Sequence, residues 1–405
     1  MESSVRGNID YVIIVTILLL VAIGALSVYS ATYEVGAAKY FDRQLVWIFV
    51  GLILMIIIMF IPFRTLQLIS YPLYGASLLA LVGVLVAGKT VAGSTSWYGV
   101  KGLGMQPSEF VKVTTVLAIA SFLSRGSVNI HRLKDIMRMS AFAIVPVVLI
   151  LLEPDLGTAV IYFGMLFLIM YWAGASNFQV IVVMAPALAA IAALYGTTPF
   201  VLVLFVTMVI LLMMRENYLV ASIAFSLTVL VGVSVQFMFL KLAPHQQKRI
   251  LIFMNPDADP LGAGYNVMQS KIAIGSGGLL GKGFLQGTQT QLNFLPAQWT
   301  DFIFCVPSEE FGFVGALLIL VLLAILLLRG VHIAKIVKSR YASIVAIGVV
   351  SAFVVHVGIN VGMAMGIVPV IGVPLPFISY GGSSMLSNLM MGGLLLNMYA
   401  NRKEY

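Results

Sequence analysis

The sequence predicts an all-α polytopic membrane protein of about 10–12 transmembrane helices, with a long outer loop and both termini cytoplasmic. Three observations carry that prediction. Hydrophobic residues fill 61% of the 405 positions and only 9% are Asp, Glu, Lys or Arg, whereas a water-soluble domain carries roughly 25% charged residues. Apolar stretches of about 20 residues, the length that crosses a bilayer core, recur along the chain. The basic residues sit in short runs between those stretches and not in one solvated patch, so the net charge of +8 points to membrane loops and not to nucleic acid.

In chain order, candidate spans fall near 10–29, 45–61, 69–87, 109–124, 139–152, 157–173, 177–195, 199–214, 219–240, 311–328, 342–366 and 378–399. The first exceeds the usual hydrophobic core of a signal peptide and no convincing small-residue cleavage site follows, so a retained helix is expected. Only Arg215-Glu216-Asn217 separates the spans at 199–214 and 219–240. With the N-terminus inside, the inner loops collect Arg6, Arg64, Arg125, Arg132, Lys134, Arg138, Arg215, Arg329, Lys335, Lys338, Arg340, Arg402 and Lys403. The short outer loops then hold only Lys39, Arg43, Lys89 and Lys101, the bias that orients membrane proteins.

Residues 241–310 break the helical pattern. They hold eight glycines between Gly262 and Gly287 and apolar pieces too short to span, Leu292 to Pro296 and Phe302 to Val306. Partly helical, interfacial or re-entrant structure is expected, which is tolerated only where protein or a wet cavity covers the backbone.

Cysteine chemistry is excluded quickly. Cys305 is alone and His131, His245, His332 and His356 show no metal-ligand spacing. Of the fifteen acids, Glu2, Asp10, Glu34, Asp42, Asp135, Glu216 and Glu404 lie at termini or in loops, where a solvated or interfacial charge is expected. Glu109, Glu153, Asp155, Asp257, Asp259, Asp301, Glu309 and Glu310 fall at membrane boundaries, where an ionised side chain is expensive and marks function by default.

Glu109 and Lys112 follow Pro107 on a helix start, three residues apart on one face. They read either as a structural ion pair or as the lining of a polar cavity. Glu153-Pro154-Asp155-Leu156-Gly157 reads as the outer turn between two spans. Asp301, between Trp299 and Phe302, is expected to have a raised pKa in apolar surroundings, which suits a general base. Glu309 and Glu310 open the next span and can serve its N-terminus.

The run Gly275-Ser276-Gly277-Gly278-Leu279-Leu280-Gly281-Lys282-Gly283 is out of register with both a P-loop and a dinucleotide fingerprint. A backbone nest near a lipid phosphate or pyrophosphate stays open, with Lys248, Arg249, Lys271 and Lys282 supplying charge. Gly358, Gly362 and Gly366 form a small-residue stripe expected to pack helices closely. Pro369, Pro374, Pro376 and Ser379-Tyr380-Gly381-Gly382-Ser383 form an irregular outer turn.

Several of these segments resemble the shape, elongation, division and sporulation (SEDS) family. The resemblance rests on Gln106-Pro107-Ser108-Glu109 with Lys112, Pro154-Asp155-Leu156-Gly157-Thr158, and Asp259-Pro260-Leu261-Gly262-Ala263-Gly264-Tyr265. It also rests on Gln269 to Gly278, Thr300-Asp301-Phe302-Ile303-Phe304, and the run Asn360 to Ser383. It extends from about residue 10 to the C-terminus, and Gly287 to Leu292 reads closer to the elongation branch than to the division branch.

The resemblance implies a peptidoglycan glycosyltransferase that polymerises lipid II at the outer face of the bacterial cytoplasmic membrane during cell elongation. It further implies a class B penicillin-binding protein as transpeptidase partner, with lipid II, the growing glycan strand and elongation-complex proteins as other partners. Asp301 matches the family's proposed catalytic aspartate, Glu109 and Lys112 its cavity ion pair, and Trp97 its loop tryptophan. Asp155, Lys271, Lys282, Ser379 and Tyr380 join them as candidate cavity-lining residues. The chain departs from the family at Ser96, where arginine is common, at Trp299, where histidine is common, and in a probable extra helix pair at 199–240.

One base and a pyrophosphate leaving group suggest inverting displacement, with charge from Lys112, Lys271, Lys282, Arg249 or a divalent cation (magnesium or manganese). No oxygen-ligand cluster marks a metal site. A lipid II flippase is the alternative, and a non-catalytic scaffold a third reading. The clustering of Glu109, Asp155, Asp301 and Glu309 at expected outer ends favours the enzyme.

Overall fold

The computed structural model describes residues 9–34, 36, 38–91, 94–100, 103–153, 155–214, 218–241, 263–368 and 370–403. Every one of the candidate spans is helical. The helices are α1 (Tyr11–Tyr33), α2 (Ala38–Phe60), α3 (Phe63–Ala87), α4 (Pro107–Leu123), α5 (Leu133–Leu152) and α6 (Leu156–Trp172). Then come α7 (Asn177–Leu194), α8 (Thr197–Met213), α9 (Tyr218–Lys241), α10 (Ala263–Ser276), and two short helices, α11 (Thr288–Gln291) and α12 (Cys305–Glu310). The last three are α13 (Gly312–Ile336), α14 (Arg340–Ala364) and α15 (Gly382–Ala400). Eight of these are long and apolar enough to cross a membrane, and the protein is multi-pass.

Which helices meet lipid follows from how their side chains are covered. On α2 the buried residues are Gln44, Ile48, Gly51, Met55 and Met59, a single stripe at helical spacing. Its other faces expose Phe49, Ile53, Ile56, Ile57 and Phe60. In contrast, α4 and α15 are covered nearly all round, and these are the helices that carry Glu109, Lys112, Ser387, Asn388 and Asn397 inside. A helix surrounded by protein needs no apolar face toward lipid, so it can hold polar groups in its middle.

The chain divides into two compact units. One comprises Ile130–Leu133 and Met170–Tyr265. In it α7, α8 and α9 pack through Phe178, Leu211 and Ala221, and through Ala189, Ala193 and Phe200. The helices matching 199–214 and 219–240 thus form a bundle with α7. The other unit comprises Met1–Asn129, Lys134–Ile169 and Asn266–Tyr405 and holds the residues discussed below.

Three features differ from the expectations. Residues 89–105 carry a small antiparallel sheet, β1 (Lys89–Val91), β2 (Ser94–Val100) and β3 (Leu103–Met105), with Lys89 opposite Trp97 and Tyr98 opposite Met105. β1 and β3 have only three residues each, and the seven of β2 (Ser94 to Val100) do not alternate apolar with polar, so periodicity does not mark them in the sequence. The glycine stripe is not a continuous seam between two helices: Gly358 faces open space and Gly362 meets Val368 just beyond its own helix, while Gly366, ending α14 at φ +70°, lies against Val267 and Lys271 of α10. Asp10 is buried, not solvated: it caps α1 and pairs with Arg329 at 2.7 Å.

The segment after α10 is compact. Leu295, Phe302, Ile303, Phe304, Cys305 and Val306 are buried, so the pieces too short to span serve as an inner layer. Residues 242–262, with Lys248, Arg249, Asp257 and Asp259, lie outside the described residues.

Candidate active site

The site grows from the first turn of α4. Gln106 precedes the helix and Pro107 occupies its first position, where a missing N–H is harmless. Glu109 and Lys112 follow on one face, both buried, with Lys112 Nζ donating to Glu109 Oε2 at 2.9 Å. Ser387 Oγ of α15 donates to the same oxygen at 2.7 Å.

A third partner comes from far along the chain. Lys112 Nζ lies 2.7 Å from His356 Nε2, while His356 Nδ1 faces the Pro374 carbonyl at 3.0 Å. A proline carbonyl only accepts, so Nδ1 carries the proton, and Nε2 presents a lone pair to the ammonium. Geometry therefore fixes a neutral imidazole in one tautomer.

The end of α4 is tied to its neighbours. The Gln106 backbone N–H donates to Ser383 Oγ at 2.8 Å, and its side chain donates to Asp155 Oδ2 at 2.9 Å. Asp155 also accepts from the Thr158 backbone N–H and hydroxyl, as an acid at the start of α6 does. Burial, offset in part by these bonds, raises the Asp155 carboxyl above the usual range. Glu153, in the same turn, is pushed to about 8 by burial and by Asp155.

Asp301 sits against residues 370–381, a strap joining α14 to α15. Asn360 Nδ2 donates to the Asp301 carbonyl at 2.9 Å and to the Val373 carbonyl at 2.7 Å. Ser379 Oγ donates to the Thr300 carbonyl at 2.7 Å, and the Tyr380 N–H to the Trp299 carbonyl at 2.8 Å. Tyr40 stacks on Trp299 and meets Tyr380 edge-on.

The strap has two tight approaches. At Gly24 of α1 a Cβ would fall 2.5 Å from the Phe377 carbonyl oxygen. At Gly157 of α6 a Cβ would collide with the Ile371 carbonyl. Gly372, at φ +72°, turns its bare α-carbon toward Asp301 Oδ2, with room for a Cβ only 3.5 Å from that oxygen. The Asp301 carboxylate itself is half-buried and has no hydrogen-bond or ion-pair partner among the described residues. Burial pushes it up to about 6.

One face of α14 orders these parts. His356 meets Lys112, Asn360 holds Asp301, and the Ala364 carbonyl accepts from Ser270 of α10 at 2.8 Å. These are successive turns, about 6 Å apart along the axis. Lys271, next to Ser270, lays its chain over Gly366 and is exposed, with no acidic partner among the described residues.

Lys282 belongs to a different cluster. Its ammonium donates to Glu309 Oε1 at 2.7 Å and to Thr288 at 2.7 Å. Glu309 also accepts the backbone N–H groups of Gln289 and Thr290, and Glu310 accepts from Ser30 and Leu285 N. The two acids that sequence alone would set at a helix start instead anchor the loop 282–290. Trp97, on β2, packs over Gly104.

Among the described residues no three His, Cys, Asp or Glu side chains gather as metal ligands. Among the described residues the divalent cation thus has no three-ligand donor set, Asp257 and Asp259 lying outside them, and no step is routed through one. His356, Asn360, Ser387 and Gln106 escape a sequence reading aimed at charged groups. Only the i, i+4 spacing of His356 and Asn360 hinted at a shared polar face.

These features define a multi-pass membrane protein with a buried charge cluster and an unpaired carboxylate joined through one helix face. The chain belongs to the cell cycle protein family of FtsW, RodA and SpoVE, matching it over residues 9–200 and 178–404, and is RodA-like in character. It is 33% identical to the peptidoglycan glycosyltransferase RodA of Treponema pallidum, over 98% of this chain and 99% of that protein. It is 32% identical to the peptidoglycan glycosyltransferase MrdB of Escherichia coli K12, over 98% of this chain and 95% of that one. Stage V sporulation protein E of Bacillus subtilis is 35% identical, over 96% of each.

Among solved structures, a chain described under the structural coordination of polymerization and crosslinking by a peptidoglycan synthase complex superposes with TM-score 0.75. It shares 28% identity and covers 98% of this chain and 99% of its own. The rod shape determining protein RodA of Thermus thermophilus gives 0.65 at 26% identity, over 98% of both chains.

Proposed function

We propose that this protein is a peptidoglycan glycosyltransferase that polymerises lipid II at the outer face of the bacterial cytoplasmic membrane, during cell elongation. Asp301 is its general base. The observation that carries this reading is the carboxylate itself: half-buried, raised to about 6, unpaired among the described residues, and held from behind by Asn360. A base needs a pKa near the working pH and an open face toward its proton, and Asp301 has both.

In the proposed step an acceptor sugar hydroxyl attacks the anomeric carbon of the lipid-linked strand. The new glycosidic C–O bond forms as the bond to the pyrophosphate breaks, with inversion. The hydroxyl proton passes to Asp301 and the electron pair leaves with the lipid pyrophosphate, which needs charge stabilisation more than a proton. Lys271, exposed beside Gly366, is the cation assigned to that leaving group. Lys112 acts by position: its ammonium is engaged by Glu109 and His356. Lys282 is engaged by Glu309 and shapes the loop.

A relative solved in a peptidoglycan synthase complex supports a class B penicillin-binding protein as the working partner. The test is lipid II polymerisation by the purified protein with that partner, its transpeptidase blocked, wild type beside Asp301→Ala. Glycan strands from wild type and none from the folded, partner-bound variant are expected. Strands from both would overturn the base assignment. Lipid II crossing liposomes with no strands from either would replace the enzyme reading with a carrier.

A further inference from the structure

At the opposite end of α4 from Glu109, a shallow pocket of about 420 Å³ lies between the start of α3, the end of α4 and the start of α5. It is lined by Tyr71, Phe122, Arg125, Arg138, Ala141 and Phe142. We propose that this pocket binds the headgroup of an anionic phospholipid, with the two arginines on its phosphate and the aromatic floor under its glycerol and first acyl carbons.

Three observations support this. First, Arg125 is exposed and pairs with no acid among the described residues; its guanidinium lies over the Tyr71 ring, 4.9 Å from the centroid. That contact fixes the planar fork and leaves its N–H groups free, the form in which arginine recognises phosphate. Arg138 adds a second cation, held only loosely by Asp135 at 3.6 Å, and Asp135 is otherwise occupied by the Asn129 N–H.

Second, the floor is apolar and rigid. Phe142 packs against Tyr71, Tyr74 and Phe122 at 5.5–5.9 Å between ring centroids. Third, the Tyr71 hydroxyl is buried without a hydrogen-bond partner among the described residues. A buried donor left unpaired is destabilising, and a phosphate or glycerol oxygen in the pocket would relieve it.

Depth selects lipid over a free anion. Arg125 lies just beyond the last turn of α4 and Arg138 about 7 Å into α5, whereas Tyr71 lies about 12 Å into α3. Cations at the helix ends with aromatics one to two turns deeper match the order of phosphate, glycerol and acyl chain in a leaflet.

The full-length protein in detergent, offered phosphatidylglycerol or phosphatidylcholine and read by native mass spectrometry, tests this. Wild type is expected to retain phosphatidylglycerol over phosphatidylcholine, and Arg125→Gln to bind it about tenfold more weakly, as loss of one charge-assisted contact predicts. Arg138→Gln is expected to lose less, and Arg64→Gln, outside the pocket, nothing. Thermal melts of all variants separate misfolding from lost binding. Equal retention of the two lipids by wild type, or full retention by folded Arg125→Gln, would overturn the proposal. Displacement of the lipid by millimolar inorganic phosphate would overturn it in favour of a bare anion site.

Discussion

Lys112 and His356, 244 residues apart in the chain, meet at 2.7 Å inside the bundle, and the imidazole is locked by the Pro374 carbonyl on its other nitrogen. One histidine thus links the buried ion pair of α4 to the strap beneath Asp301. Replacing Lys112 by Met strands the Glu109 carboxylate and is expected to cost about 3–5 kcal/mol. Glu109→Gln with Lys112→Met should cost clearly less than the sum of the single changes. Thermal unfolding of the four proteins in detergent gives the coupling, and strict additivity would refute a mutually dependent pair.

His356→Leu removes the acceptor for one Lys112 N–H and the donor to Pro374. Each buried group left unpaired costs about 1–3 kcal/mol. His356→Gln, which keeps a donor and an acceptor, is expected to recover part of the melting temperature. A leucine variant as stable as wild type would mean that the imidazole is not a linker.

Asp301→Asn is expected to lower polymerisation by about 10²–10⁴-fold, the usual contribution of a general base. A base works deprotonated, so the wild-type rate should fall as pH drops through about 6 and stay flat above it. The carboxyl is raised in the folded protein, so its stabilising contribution is present at low pH and is lost as pH rises through about 6. Asp301→Asn should therefore melt no lower than wild type at pH 7, which separates lost chemistry from lost folding.

Asn360 is a positioning residue: it touches Asp301 only through the backbone carbonyl. Asn360→Leu is expected to reduce kcat by up to about 10²-fold by displacing the carboxylate. KM and the pH at which activity falls should stay the same. A change in KM alone would place Asn360 on the substrate side instead.

Gly24→Ala pushes a methyl into the Phe377 carbonyl and is expected to destabilise by about 1–3 kcal/mol while lowering activity through the strap. Gly358→Ala meets nothing and should be neutral or, by helix propensity, stabilising by up to about 1 kcal/mol. Equal melts for the two variants would show that the strap does not press on α1.

Burial pushes the Glu309 carboxyl up, but the Gln289 and Thr290 N–H groups and Lys282 outweigh it and leave it below the usual carboxylate range. A depressed carboxyl stabilises above its unfolded value and loses that contribution as pH falls through the folded one. Hydrogen exchange in residues 282–290 should therefore accelerate only in acid, and Glu309→Gln should show the fast exchange already at pH 7. Slow exchange in that variant would show that Glu309 does not hold the loop.

Much of this protein was legible in its sequence because lipid imposes a one-dimensional rule. A spanning helix must satisfy its own backbone and be apolar for about 20 residues, so the long helices and their order follow from composition along the chain. The same rule made Glu109, Lys112, Asp155 and Asp301 stand out, since a charge near the membrane is rare enough to signal function.

What the sequence left open is what depends on contacts between distant residues. His356 carries no mark that it accepts from Lys112, and Lys282 none that Glu309 engages it while Lys271 stays exposed. Gly358, Gly362 and Gly366 were spaced as a packing stripe, yet of the three only Gly366 meets another helix, and a strap 200 or more residues away presses instead on Gly24 and Gly157. The length of an apolar run marks which segments can cross the membrane, because that requirement is met within one segment. Hydrogen bonds and close packing between helices require two partners, and only the tertiary structure brings both to the same place.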